Sequence, residues 1–264
     1  MSLIETMRED SLFWITLNRP DKGNAYTLEM VKALVSALKF ADEESEIKVV
    51  LLKSAGDYFC TGGDISLMQK KEEMFSGESL ELRQNYHFGI QEIPRQFEKM
   101  QKPVISLIQG AAVGAGCDLV AMTDLRIASK DATFSESFNR VGLVPGDGGA
   151  YFLIRAVGYS KAMEMFMLAK TYSAQEMMNH GLVHEVVEKN DLENKGREFA
   201  QRLLMHPPHA VWMTKRSLIQ AYQDNLSHHL EMMSAYQALT QRSDDHFISL
   251  SNLKNKETRP YQTK

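Results

Sequence analysis

Two glycine-rich stretches hold the residue types best suited to chemistry: Phe59-Cys60-Thr61-Gly62-Gly63-Asp64-Ile65, and Gly110-Ala111-Ala112-Val113-Gly114-Ala115-Gly116-Cys117-Asp118. A backbone N–H can be aimed at a ligand only where no side chain shields it and no ladder partner already uses it. Glycine-rich turns at strand ends meet both conditions. If the two turns converge on one oxygen, they form an oxyanion hole, and the second adds a helix N-terminus whose dipole favours negative charge. Glycines after strands also make plain tight turns, so that reading stands beside the first. A dinucleotide fingerprint does not fit. The glycines at 110, 114 and 116 are in the wrong order for G-x-G-x-x-G, and no acidic residue ends a strand at the required distance.

The elements that position these turns follow from periodicity. Leu12 to Leu17 reads as a buried strand, closed by the turn residues 18–24. Thr27 caps a helix whose apolar stripe is Met30, Val31, Leu34, Leu38 and Phe40. Ile47 to Lys53 is a second strand and leads into the first glycine turn. Residues 66–100 are more polar and read as mobile helix, with Met68, Met74, Phe75, Leu80 and Leu82 as candidates for its inner face. The next unit runs from Pro103 to Ile108, through the second turn, into a short apolar helix from Cys117 to Met122 and a strand over Asp124 to Ala128. Strand, glycine turn and helix thus occur twice, which favours stacked β-β-α units over a simple nucleotide-binding sheet. Phe134 to Phe138 reads as a further extended piece. From Ala150 onward the chain reads as almost entirely helical, and Pro207-Pro208 separates a core, 1–205, from a C-terminal helical region, 206–264.

Composition narrows the function classes. Of 264 residues, 44% are hydrophobic and 24% charged, an ordinary globular balance, and the net charge of −4 with no basic stripe argues against nucleic acid as the main partner. Cys60 and Cys117 cannot scaffold a chain this long and read as small apolar groups in a reducing compartment. No apolar run has the length of a signal or a membrane span, so a cytoplasmic protein without a membrane partner is expected. His206, His209, His228 and His229 lack the spacing and acidic company of a metal site, and no metal is expected. The paired methionines at 177–178 and 232–233 read as adaptable core.

Asn18-Arg19-Pro20 with Asn24-Ala25, the two glycine turns, residues 124–128, Gly142-Leu143-Val144-Pro145 with Gly148-Gly149, and Arg155-Ala156-Val157-Gly158 together resemble the crotonase, or enoyl-CoA hydratase/isomerase, family. The match keeps the family's order from about residue 12 to 215. The resemblance implies an α/β fold, a spiral of stacked β-β-α units with a helical C-terminal region that builds a homotrimer or homohexamer. It implies an acyl-CoA substrate, with coenzyme A part of that substrate and no separate cofactor. The peptide N–H groups of Gly63 and Ala115 would hold the thioester oxygen as it becomes an enolate. Lys22, Asn24, Ala25, Tyr26, Thr61, Asp64 and Ile65 would correspond to the family's CoA cleft. Lys215 and Tyr261 match places where family members contact CoA, although a surface lysine and a frayed terminus are the plainer readings.

The acid/base groups depart from the family pattern. A typical hydratase carries two glutamates; the first position here is Asp118 and the second is Phe138, which cannot move a proton. Glu136, two residues earlier and on the same side if the segment is extended, and Asp147 in the following turn are the carboxylates available to compensate. Each also has a structural reading: a helix cap for Asp118, a pair with Arg140 for Glu136, a turn residue for Asp147. The implied activity is hydration of a 2-enoyl-CoA. The alternatives are an enoyl-CoA double-bond isomerase using Asp118 with Glu136 or Asp147, and an acyl-CoA-binding protein without turnover.

Overall fold

The computed structural model describes residues 2–256 and 260–261. Its strands are β1 (Ile4–Glu9), β2 (Leu12–Leu17), β3 (Val49–Ser54), β4 (Val104–Ile108), β5 (Ala112–Val113), β6 (Leu125–Ser129), β7 (Thr133–Ser135), β8 (Tyr172–Ser173) and β9 (Glu185–Val187). The helices are α1 (Leu28–Glu43), α2 (Ile65–Lys70), α3 (Ser79–His87), α4 (Glu92–Lys99), α5 (Ala115–Met122), α6 (Gly149–Leu168), α7 (Ala174–Asn179), α8 (Leu192–Leu204), α9 (Pro208–Ala221), α10 (Leu226–Gln241) and α11 (Asp244–Asn255).

A six-stranded sheet runs in the order β1-β2-β3-β4-β6-β9, and a smaller one in the order β5-β7-β8. Only the β1–β2 hairpin of the large sheet is antiparallel; the parallel register sets Trp14 opposite Leu51, Leu51 opposite Ile105, and Leu107 opposite Ile127. Strands buried on both faces need apolar residues at every position, which explains the continuous runs in β2, β3 and β4. Alternation then divides them. Phe13, Ile15, Val50, Leu52 and Val104 face Met30, Leu34 and Leu38 of α1, whereas Trp14, Leu51, Ile105 and Leu107 face Leu192 and Ala200 of α8. Gly196 lets α8 lie against the sheet, because a Cβ there would stand 2.8 Å from Leu107.

Strands β2, β3, β5 and β9 each lead on to a helix at their C-terminal end. Thr27 caps α1 by accepting from the Met30 N–H at 3.1 Å. All eight residues of α5 are buried, so it is the element round which the others pack. Helix α6 is interrupted at Gly158, whose φ of 78° and ψ of 161° no helix contains.

Several expectations need correction. Strand β1 has an exposed, charged face that hides it from a hydrophobic pattern. The strand expected over Phe134 to Phe138 stops at Ser135, and a 3-10 turn takes over at Phe138–Val141. Residues 66–100 form the short helices α2, α3 and α4, in keeping with their helical reading, but of the inner-face candidates Leu80 points to solvent at 69% exposure while Met74 is buried. Lys215 is no surface lysine: its Nζ donates to the Lys102 carbonyl and to Asp124 Oδ2, at 2.9 and 2.7 Å, pinning α9 to the sheet. Short strands β8 and β9 interrupt the stretch expected to be helical. Helices α9 to α11 leave Leu218, Tyr222, Leu226, Leu239 and Leu253 exposed.

Candidate active site

The two glycine turns meet. Cys60 pairs with Ala112 and Tyr26 with Gly63 as parallel bridges, so the first turn is stitched to both its neighbours. Tyr26 N–H donates to the Gly62 carbonyl at 2.7 Å. In a parallel bridge the residue that uses both its groups bonds to the two neighbours of its opposite number; the N–H of Gly63 itself therefore points away from Tyr26. Ala115 is the first residue of α5, where no carbonyl of its own helix can reach its N–H. A Cβ on Gly116 would stand 2.0 Å from the Cys60 carbonyl oxygen, and one on Gly62 3.2 Å from the Ala115 nitrogen. Only glycine permits that approach.

A cleft opens in front of this junction. Thr61, Gly63, Ile65, Gly114 and Ala115 line it, together with Met68, Phe75, Tyr86, Ile90, Phe138, Val141 and Leu143. The walls are apolar, and Asp147 is the one carboxylate among the lining residues. Asp147 is held by its own turn: Gln91 Nε2 donates to the Gly146 carbonyl at 2.7 Å, and Tyr86 lies so near that a Cβ on Gly146 would stand 3.1 Å from its ring.

Asp118 and Glu136 lie behind Asp147, both at 0% exposure, with Asp147 itself at 3%. Asp118 is within hydrogen-bonding reach of both the others. Burial pushes all three carboxyls up: Asp118 well above its ordinary range with Asp147 and Glu136 adding to the push, Glu136 to about 8, and Asp147 upward against the opposing effect of Asp118 and of its own backbone N–H. The second element of the site, Asp118, lies deep because α6 begins on top of it; a Cβ on Gly149 would stand 1.6 Å from Asp118 Oδ1. Asp118 is in the fourth position of α5 and caps nothing, since Gly114 is the N-cap. Glu136 forms no pair with Arg140. It does not share a side with Phe138 either, because the chain turns after Ser135 and sends Glu136 inward and Phe138 to the cleft.

The residues expected around a CoA moiety divide. Thr61 and Ile65 line the cleft, and Lys22 ends the exposed 3-10 turn Pro20–Lys22. Asn24 is buried and committed to the fold: its side chain accepts from Arg19 N–H and donates to the carbonyls of Ala55 and Tyr58, all within 2.9 Å. Asp64 caps α2 and pairs with Arg19 at 2.8 Å. Although burial pushes its carboxyl up, the bonds from Ser66, Arg19 and Leu67 prevail and bring it to about 2. The Ala25 carbonyl accepts from Arg19 Nη1. Tyr26 is fully enclosed, its hydroxyl beside Cys60 and Asp147 rather than in the cleft. Tyr86, Ile90 and Val141 are among the lining residues that sequence reasoning missed; Tyr86 sits in a polar stretch with no pattern to single it out. Tyr261 donates its hydroxyl to the Met205 carbonyl at 3.1 Å.

Such an arrangement brings Gly63, Ala115 and the Asp147 carboxyl to the lining of one largely apolar cleft. The family model described as enoyl-CoA hydratase/isomerase matches residues 7–264. The chain is 30% identical over 246 residues to the 1,2-epoxyphenylacetyl-CoA isomerase of Escherichia coli (strain K12), covering 93% of each. It is 32% identical over 217 residues to the short-chain-enoyl-CoA hydratase of Clostridium acetobutylicum, covering 82% of this chain and 80% of that one. Among solved structures, the enoyl-CoA hydratase from Bacillus anthracis superposes with a TM-score of 0.91 at 28% identity, covering 99% of this chain and all (100%) of the other. That from Mycobacterium smegmatis superposes with a TM-score of 0.90 at 27% identity, covering 98% of each.

Proposed function

The chain belongs to the enoyl-CoA hydratase/isomerase, or crotonase, family, and from that premise we propose that it shifts a carbon–carbon double bond in an acyl-CoA thioester, converting a 3-enoyl-CoA to a 2-enoyl-CoA. The observation that carries this reading is the cleft lining: of the three carboxyl groups Asp147 alone reaches it, and Phe138, which cannot move a proton, lines it as well. Hydration requires a water held between an acid and a base, both in contact with the reacting atoms. Moving a double bond requires one group that takes a proton from C2 and gives one to C4.

In this reading the Gly63 and Ala115 N–H groups bind the thioester oxygen. The Asp147 carboxylate removes a C2 proton, and the C–H electron pair moves onto that oxygen, giving a dienolate. Protonation at C4 returns the electrons, leaving the double bond between C2 and C3. Donors aimed at an oxygen that gains charge in a water-poor cleft favour the dienolate, and each is worth about 10²–10³ in rate. Thr61 and Ile65 would meet the pantetheine end and Lys22 the phosphates. The exposed apolar residues of α9 to α11 would be subunit contacts of a homotrimer or homohexamer. Among the described residues no helix is long and apolar enough to cross a membrane.

Incubation with a 3-enoyl-CoA should raise the conjugated-enoyl absorbance, and Asp147→Asn should lower kcat by about 10²–10⁴ while acyl-CoA affinity measured by calorimetry is retained. Loss of that absorbance from a 2-enoyl-CoA, with no gain from the 3-enoyl isomer, would establish hydration instead. Binding without either change would mark a protein that holds acyl-CoA without turnover.

A further inference from the structure

The proposed reaction uses one of three buried carboxyls, and the other two have no task in it. Asp118 and Glu136 are closed off from solvent and absent from the cleft wall, while Asp118 touches both Glu136 and Asp147. None of the oxygens Asp118 Oδ1 and Oδ2, Glu136 Oε1 and Oε2, and Asp147 Oδ1 receives a bond from a protein N–H or hydroxyl. No cation acts on any of the three. Buried carboxyls with so few donors and no counter-charge hold their protons: the Cys117 thiol beside Glu136 and the backbone N–H of Asp147 apart, Asp118 and Glu136 are satisfied by carboxyl-to-carboxyl hydrogen bonds, and Asp147, which reaches the cleft, is the one that ionises. The surrounding titratable groups do not compete. Tyr26 and Cys60 on one side, Cys117 on α5 and Tyr86 on α3 are all held neutral by burial.

We propose that Asp118 and Glu136 are positioning residues that form, behind Asp147, a closed store of protons, through which the proton taken from C2 passes inward and from which the proton given to C4 comes back. The idea rests on the isomerase reading above. Asp147, once protonated by substrate, exchanges hydrogen bonds with Asp118. A proton of the store then leaves through Asp147 to C4, so that the store ends with the same number of protons and Asp147 ends ionised. The store opens only onto the cleft, and the bound acyl group closes that side; the protons it holds during a turnover therefore do not mix with water.

A pulse-chase experiment tests this. Enzyme equilibrated in D₂O is mixed with a 3-enoyl-CoA in H₂O and quenched within one turnover. Asp147 must be ionised to act as a base and carries nothing in, so deuterium at C4 of the first-turnover product can come only from the store; later turnovers should lose the label. Asp118→Asn and Glu136→Gln should each reduce the first-turnover label, which a merely structural role would not do. Unlabelled first-turnover product, with isomerisation intact, overturns the store and leaves the isomerase reading standing. If no isomerisation occurs, that reading fails, and infrared spectroscopy decides the store alone. A protonated-carboxyl stretch at neutral pH, slow to shift in D₂O and weakened in both variants, supports it. A spectrum without such a band overturns it.

Discussion

Replacing Gly149 by alanine tests how tightly α6 is seated on Asp118. Gly149 has no positive φ to protect, so alanine suits its backbone and, as a helix residue, gains up to about 1 kcal/mol over glycine. Against this, the new methyl would lie 1.6 Å from Asp118 Oδ1 and 1.9 Å from Cγ, about half an ordinary contact. Asp118 cannot retreat, because every residue of α5 is buried. The start of α6 must move instead, and it takes Asp147 and Gly148 with it. Overpacking of this kind costs about 1–3 kcal/mol, so a net loss of stability is expected. For a chain of this size that lowers Tm by roughly 2–4 °C per kcal/mol. A displacement of Asp147 by about 1 Å lowers turnover by about 10². The assays are calorimetric melting and the 3-enoyl-CoA absorbance assay, run on Gly149→Ala and on the double variant with Asp118→Ala. Removing the carboxyl removes the clash, so the double variant should melt higher than the sum of the single effects allows, without regaining activity. A Gly149→Ala protein that melts at or above the wild-type temperature would refute the packing argument.

Glu136 gives a pH test. Its pKa is raised by burial from 4.5 to about 8, so the fold holds a proton that the unfolded chain releases. Its contribution is fully present below about 4.5 and is lost as pH rises towards about 8, up to on the order of 5 kcal/mol in all. Glu136→Gln should therefore gain stability relative to wild type as pH rises across that window, measured by urea unfolding at each pH; a constant difference would contradict it. Asn24→Ala removes three hydrogen bonds inside the first turn and should cost about 2–4 kcal/mol in the same assay. Lys215→Met leaves Asp124 and the Lys102 carbonyl without their partner and should make α9 to α11 markedly more sensitive to limited proteolysis, with the core resistant.

The central strands and α1 were legible because periodicity and capping are local. Residues 12–15 and 49–52 are apolar at every position, as a sheet covered on both faces demands, and Thr27 sits where a cap belongs. Strand β1 escaped because an edge strand with charged residues has no apolar pattern. The three carboxylates could be named as candidates from their positions in the chain, but their order in depth could not. The expectation that Glu136 shares a side with Phe138 assumed an extended backbone, and one turn after Ser135 reversed it.

By itself, the sequence determined the glycine turns, the central strands and the family, since each depends on residue types in a fixed order along the chain. It also determined that Phe138 removes one proton carrier. Only the tertiary structure decided what faces what: that Asn24 and Asp64 spend their side chains on the first turn, that Tyr26 is enclosed, and that Asp147 rather than Asp118 meets the cleft. The reason is that depth depends on how α6 packs on α5. That packing brings residues 118 and 149 into contact across thirty-one positions of chain, where no local pattern records it.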